Sequence, residues 1–171
     1  MQSIHELEHD YHLLKSGGGD WHDCIEWATE RLRSDEENDD EEIALLASTT
    51  ERHEALTLTE HVIARYCGSQ ALDAQLAAGK YLVALRHDYL RGVETVRTLA
   101  GKIQGLSEKL QHPPWLAVLT RNARKARERL EYKDAFDREF AYLARVWALS
   151  GTRTEFILRY DHTVSTSHDA L

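Results

Sequence analysis

PWLAVLTRNARKARERLEYKDAFDREFAYLARVW, residues 114–147, sets the fold class. Trp115, Leu116, Leu119, Ala123, Ala126 and Leu130 recur at helical spacing, and Pro114 is compatible with a first helical turn because that turn needs no N–H partner. Asp134 is a candidate cap for a second run in which Phe136, Phe140, Leu143 and Trp147 share one face. Ser150-Gly151-Thr152 ends that run. Two consecutive amphipathic helices, closed by a glycine and carrying bulky aromatics inward, predict a helical bundle.

The pattern continues upstream. Ile4, Leu7, Tyr11 and Leu14 make a short first helix stopped by Ser16-Gly17-Gly18-Gly19, and Asp20 is a natural cap for a second helix striped by Trp21, Cys24, Ile25, Ala28 and Leu32. Ile43, Leu46 and Ala47 carry a third helix up to Ser48-Thr49-Thr50. A fourth is expected from Thr57 or Thr59, through Leu58, Val62, Ile63 and Tyr66, to Gly68. Leu72, Leu76, Leu82 and Leu85 mark a fifth, where a packing contact or a bend would account for Gly79. Leu90, Val93, Val96, Leu99, Ile103, Leu106 and Leu110 keep helical spacing from Asp88 onward. They predict the longest helix, with Gly92, Gly101 and Gly105 admitting a close neighbour. Pro113 and Pro114 stop it. FILRY, residues 156–160, is too short to classify, and residues 152–171 read as a C-terminal tail, partly ordered at best. The expectation is an all-α, single-domain bundle, residues 1–171, of about seven or eight helices.

Composition agrees. The chain has 171 residues, 42% apolar and 29% charged, with 9 Gly and 2 Pro, too few breakers for a turn-rich β fold. The formal charge of -8 argues against nucleic acid or an anionic membrane as a general partner and favours a basic protein surface. Cys24 and Cys67 lack any CxxC spacing, so both read as small apolar core residues. The opening MQSIHELEHDYH has neither a basic n-region nor an apolar h-region, and no apolar stretch approaches a membrane span. Cytoplasmic residence is expected.

Three constellations carry chemistry. His5-Glu6-Leu7-Glu8-His9 satisfies HExxH, with histidines four apart on one helix face and His12 extending that face. A zinc hydrolase would use Glu6 as general base and would need a further ligand, for which His22 and Glu26 are the nearby candidates. Only four residues precede the motif, however, and the Ile4/Leu7/Tyr11/Leu14 stripe puts the histidines on the solvated side. The reading is therefore no cofactor and no enzyme, with His5, His9 and His12 as speculative metal ligands.

The second constellation is Asp35, Glu36, Glu37, Asp39, Asp40, Glu41 and Glu42, seven carboxylates in eight positions. It lacks the turn glycine and ligand alternation of a calcium loop, and suits electrostatic steering of a basic partner. The third is basic: Arg121, Arg124, Lys125, Arg127, Arg129, Lys133 and Arg138, interleaved with acids in a way that favours intrahelical pairs. His87-Asp88 and Asp161-His162 have no nucleophile motif beside them. Trp27 and Tyr142 lie off the main stripes and are candidate exposed interface anchors.

DWHDCIEWATERLRSDEENDDEEIALLAS, residues 20–48, and the 114–147 segment resemble helical bacterial immunity proteins of toxin–immunity systems, which serve secreted effectors or polymorphic toxins. The resemblance implies a cytoplasmic inhibitor that binds and neutralises a cognate toxin through an acidic surface. It implies neither cofactor nor catalysis. The acidic run and Trp27 are the partner-binding candidates, on charge and exposure alone. A helical adaptor or regulatory scaffold is the alternative, and nothing in the sequence fixes the oligomeric state.

Overall fold

The computed structural model describes residues 3–34 and 40–170, and among them all regular structure is helical. The α-helices are α1 Ile4–Ser16, α2 Trp21–Arg33, α3 Glu41–Ser48, α4 Arg52–Cys67, α5 Ala74–Leu90, α6 Val96–Lys109, α7 Pro114–Glu128, α8 Lys133–Ala148, α9 Arg153–Arg159 and α10 His162–Ser167, with 3-10 turns at Ser69–Leu72 and Leu130–Tyr132. None of them is long and apolar enough to cross a membrane. The chain divides into two compact units, Met1–Ala78 and Gly79–Leu171, the division falling inside α5.

In the first unit the apolar stripes meet as their spacing requires. Leu7, Tyr11 and Leu14 of α1, Cys24, Trp27 and Ala28 of α2, Ile43 and Leu46 of α3, and Ala55, Val62 and Ile63 of α4 form one buried cluster. The ends are set by local chemistry. Asp20 accepts from the His22 N–H at the start of α2, and Gly17, at φ 93°, takes the left-handed conformation that ends α1. Helix α4 begins at Arg52, ahead of the expected Thr57 or Thr59, because Thr49 and Glu54 organise the entry: Thr49 Oγ1 donates to Glu54 Oε2 at 2.6 Å. Thr59 is then a buried mid-helix residue.

Long-range polar contacts fasten α1 to the rest of this unit. The Tyr11 hydroxyl donates to Glu60 Oε1 at 3.0 Å, with Lys15 Nζ 3.3 Å from the same oxygen. His12 Nε2 donates to the Ala71 carbonyl at 2.8 Å, and Trp27 Nε1 donates to the Ser3 carbonyl at 3.0 Å. The His12 bond satisfies a buried ring nitrogen that would cost roughly 1–3 kcal/mol if left unpaired.

The second unit is organised by aromatics. Trp147 and Phe156 stack with centroids 3.8 Å apart and planes 8° from parallel, while the edge of Trp115 meets both, at 5.2 and 5.4 Å. Gly79 explains itself here. A Cβ at that position would lie 2.0 Å from Trp147 Cδ2, so the helix needs a bare backbone where the indole rests. Lys80 beside it donates from Nζ to the carbonyls of Trp147 and Ser150, at 3.2 and 2.7 Å, capping the end of α8.

Several expectations are corrected. The long helix from Asp88 is two helices: α5 runs on to Leu90, Gly92 adopts φ 75°, and Thr95 caps a new start at Val96 by accepting from the Thr98 N–H. Gly101 and Gly105 face open space and admit no neighbour. Ten α-helices among the described residues exceed the expected seven or eight because residues 152–170, read from sequence as tail, contain α9 and α10. These are short helices made by caps more than by stripes. Thr152 Oγ1 accepts from the Glu155 N–H while Glu155 Oε2 accepts from the Gly151 N–H, and Asp161 Oδ1 accepts from the Thr163 N–H.

The last helix is tied down through a buried carboxylate. Glu139 is fully buried on α8; Ser165 Oγ donates to its Oε1 at 2.6 Å, and His168 Nδ1 lies 2.7 Å from its Oε2. Asn122 Nδ2 donates to the His168 carbonyl, and Arg121 holds Asp169.

Two glycine substitutions separate packing from helix propensity. Gly79→Ala should cost about 1–3 kcal/mol despite the better helix former, because the Trp147 ring must move. Gly101→Ala should be neutral or gain up to ~1 kcal/mol. Urea denaturation of both variants measures the difference, and equal midpoints would contradict the packing account.

Candidate functional site

The N-terminal face of the first unit brings together His5, Glu6, His9, Glu26 and Trp27 of the sequence-selected residues. Helices α1 and α2 enclose a groove of about 450 Å³ lined by Ser3, His5, Glu6, His9, Asp10, Asp23, Glu26 and Trp27. Glu6 and Asp10 are one turn apart on α1, and Asp23 and Glu26 one turn apart on α2, so four carboxylates converge on one opening. Burial pushes the Asp10 carboxyl upward, and against the opposing pull of His9 the charges of Asp23 and Glu6 push it further. Like charges crowded this way make the groove receptive to a cation. In sequence, Glu6 and Glu26 stand out as metalloprotease parts, whereas Asp10 and Asp23 do not stand out. The signal was present as paired acids at helical spacing on adjacent helices.

The HELEH motif is divided among unrelated tasks. Ser3 N–H donates to Glu6 Oε2 at 3.1 Å, so the would-be general base closes the first turn of its own helix. His12, grouped by sequence with the exposed histidines, is buried at 2% exposure and committed to Ala71. His9 faces the groove. His5 also lines the groove, while its Nδ1 lies 3.2 Å from Glu8 Oε2 and the thiol of Cys67 joins them: the three donor atoms lie within 4.8 Å of one another. Cys67 packs at the margin of the core cluster, partly buried, as well as meeting these two side chains. It is half-buried at the C-terminal end of α4, where burial and then the Glu8 charge push its thiol pKa up. Cys24, by contrast, is buried as expected.

Trp27 is also corrected. The side chain expected as an exposed anchor is 2% exposed, because α2 packs against α1, α3 and α4 and therefore buries more than one stripe. Tyr142 is half-buried, its hydroxyl accepting from the Asp161 N–H at 2.6 Å.

Of the acidic run, Asp35, Glu36, Glu37 and Asp39 lie outside the described residues. Asp40 caps α3, its Oδ1 accepting from the N–H groups of Glu42 and Ile43. Its Oδ2 accepts from Arg65 and, at 2.9 Å, from the Tyr66 hydroxyl. Arg65 also meets Glu42 at 2.8 Å, with His61 3.7 Å from that carboxylate. Glu41 is exposed. Thus Asp40 and Glu42 are spoken for by α4, and Glu41 alone of the described three is exposed. Burial raises the Asp40 carboxyl, but Arg65, Tyr66 and the Ile43 N–H outweigh it and hold the group below its ordinary value.

The basic series of α7 and α8 is paired in both expected and unexpected ways. Lys133 meets Asp137 one turn on, but Arg121 and Lys125 both reach Asp169, beyond α10. His87 and Asp88 are an exposed pair 3.9 Å apart, and Asp161 is a helix cap.

Comparison with family models, with curated proteins and with solved structures gives no match to this chain.

The two perturbed aspartates have opposite linkage to pH. Asp40, lowered on folding, contributes stability that is complete above the ordinary carboxylate value and is lost as pH falls through its own lower value. Asp10, raised on folding, favours the folded state fully only below the ordinary value, and this is lost as pH rises through its raised one. Asp40→Ala should therefore cost about 1–2 kcal/mol at pH 7. Asp10→Asn should stabilise at pH 7, with an advantage that vanishes below about pH 4. Thermal unfolding of the three proteins across that range tests both signs.

Proposed function

We propose that this protein is an immunity-type inhibitor, which binds and neutralises a cognate bacterial toxin by applying an acidic surface to a basic one. The observation that carries the reading is the α1/α2 groove, where Glu6, Asp10, Asp23 and Glu26 line one opening. A concave surface lined by carboxylates suits a cationic side chain of a partner. The formal charge of -8 and the acidic run beginning at Asp35 extend the same sign. Asp40 and Arg65 fix the end of that run to α4, so Asp35, Glu36, Glu37, Asp39 and Glu41 are the run's partner-binding candidates, with steering as their contribution. Trp27 supports the groove from beneath as part of its wall.

The reading is non-catalytic. Glu6 accepts from the Ser3 N–H, and His12, which extends the HELEH face, serves a backbone carbonyl, so both carry structural tasks. A helical adaptor or regulatory scaffold would use the same groove on a non-toxic basic partner.

Affinity capture from the native host, with co-expression against a neighbouring toxin gene, separates these. A stoichiometric toxin and protection from it are expected. A non-toxic partner would favour the adaptor, and neither result would refute both. With the partner in hand, Asp10→Asn/Asp23→Asn should weaken binding at least tenfold, with circular dichroism verifying that helix content is kept. Glu36→Gln/Glu37→Gln should slow association several-fold at low salt and little at high salt. Surface plasmon resonance at two ionic strengths reads both effects.

A further inference from the structure

We propose that His5, Glu8 and Cys67 form a binding site for a zinc-like divalent transition metal, joining the start of α1 to the end of α4. The donors come from one imidazole, one carboxylate and one thiol, all within 4.8 Å of one another, although Cys67 is about sixty positions away in sequence. His5 and Glu8 are three apart on α1, which places both side chains on the same helix edge. Their present separation, 3.2 Å between Nδ1 and Oε2, is already about that of two ligands sharing a tetrahedral ion with bonds of roughly 2.0–2.1 Å. The sulfur, within 4.8 Å of both, supplies the third donor.

The donor set selects the metal. A thiolate with an imidazole disfavours magnesium and calcium, which take oxygen, and suits zinc or cobalt(II). Binding removes the thiol proton of Cys67 to solvent and exchanges the His5–Glu8 contact for two metal bonds. Three protein ligands leave a fourth position for water. The arrangement differs from HExxH: His9 faces the acidic groove, and His12 is held by Ala71. A metal here would act as a cross-link that holds the N-terminal turn of α1, and with it Glu6 and the rim of the groove, against α4.

Cobalt(II) titration of untagged protein, purified without chelating resin, provides the test because thiolate ligation gives a near-ultraviolet charge-transfer band. One cobalt per chain, that band, displacement by zinc and a zinc-dependent rise in the thermal midpoint are expected. Cys67→Ala should abolish the band, and His5→Ala and Glu8→Gln should each weaken zinc binding at least tenfold. His9→Ala should bind as the parent does. Circular dichroism of each variant verifies its helix content, and His5→Ala, at an exposed position, keeps the test independent of any folding defect in Cys67→Ala. Absence of the band in the parent, or undiminished zinc affinity in Cys67→Ala, would overturn the site and leave adventitious histidine binding only. Loss on His9→Ala would overturn it in favour of the HExxH arrangement. None of these outcomes bears on whether the acidic groove binds a partner.

Discussion

The indole of Trp147 requires a helix with no side chain at one position, and Gly79 supplies it. Around that contact the second unit assembles its other aromatics: Phe156 stacks on the indole, Trp115 meets both by its edge, and Lys80 caps the carbonyl end that Trp147 occupies. A large aromatic buries roughly 150–250 Å², worth on the order of 4–6 kcal/mol before entropy is charged. A single glycine therefore governs a substantial part of this unit's stability. Its penalty as a poor helix former, ~1 kcal/mol, is small beside what it permits.

The first unit depends on polar fastening to a comparable degree. Helix α1 is 13 residues long, marginal as an isolated helix, and it is held by hydrogen bonds from Tyr11, His12 and Trp27 that reach across the unit. This division of labour explains why HELEH reads so differently in sequence and in space. Spacing alone assigns His5, His9 and His12 to one face. The neighbours assign them to a metal-type donor cluster, an acidic groove and a backbone carbonyl.

Legibility followed the range of the interaction. The stripes and caps that lie within one helix, such as Asp20 ahead of α2 or Pro114 at the start of α7, were readable because both partners are a few residues apart. Gly79 was readable as an anomaly with two candidate causes, and the choice between them needed Trp147. Residues 152–170 were not readable as helix, since seven and six residues are too few for periodicity and the stabilising contacts come from Phe156 on Trp147 and Ser165 on Glu139. Trp27 misled for a related reason: a helix packed on several sides has no single apolar stripe. The acids of the groove were hidden because each pair lies on a separate helix, whereas the contiguous run at 35–42 was conspicuous while its Asp40 and Glu42 serve α4.

Glu139 has no exposed surface, and its two carboxylate oxygens are met by Ser165 and His168. A carboxylate taken out of water without such partners carries a penalty of several kcal/mol. Residues 165–168 therefore belong to the interior of the second unit as fully as α8 does, although no apolar stripe marks them.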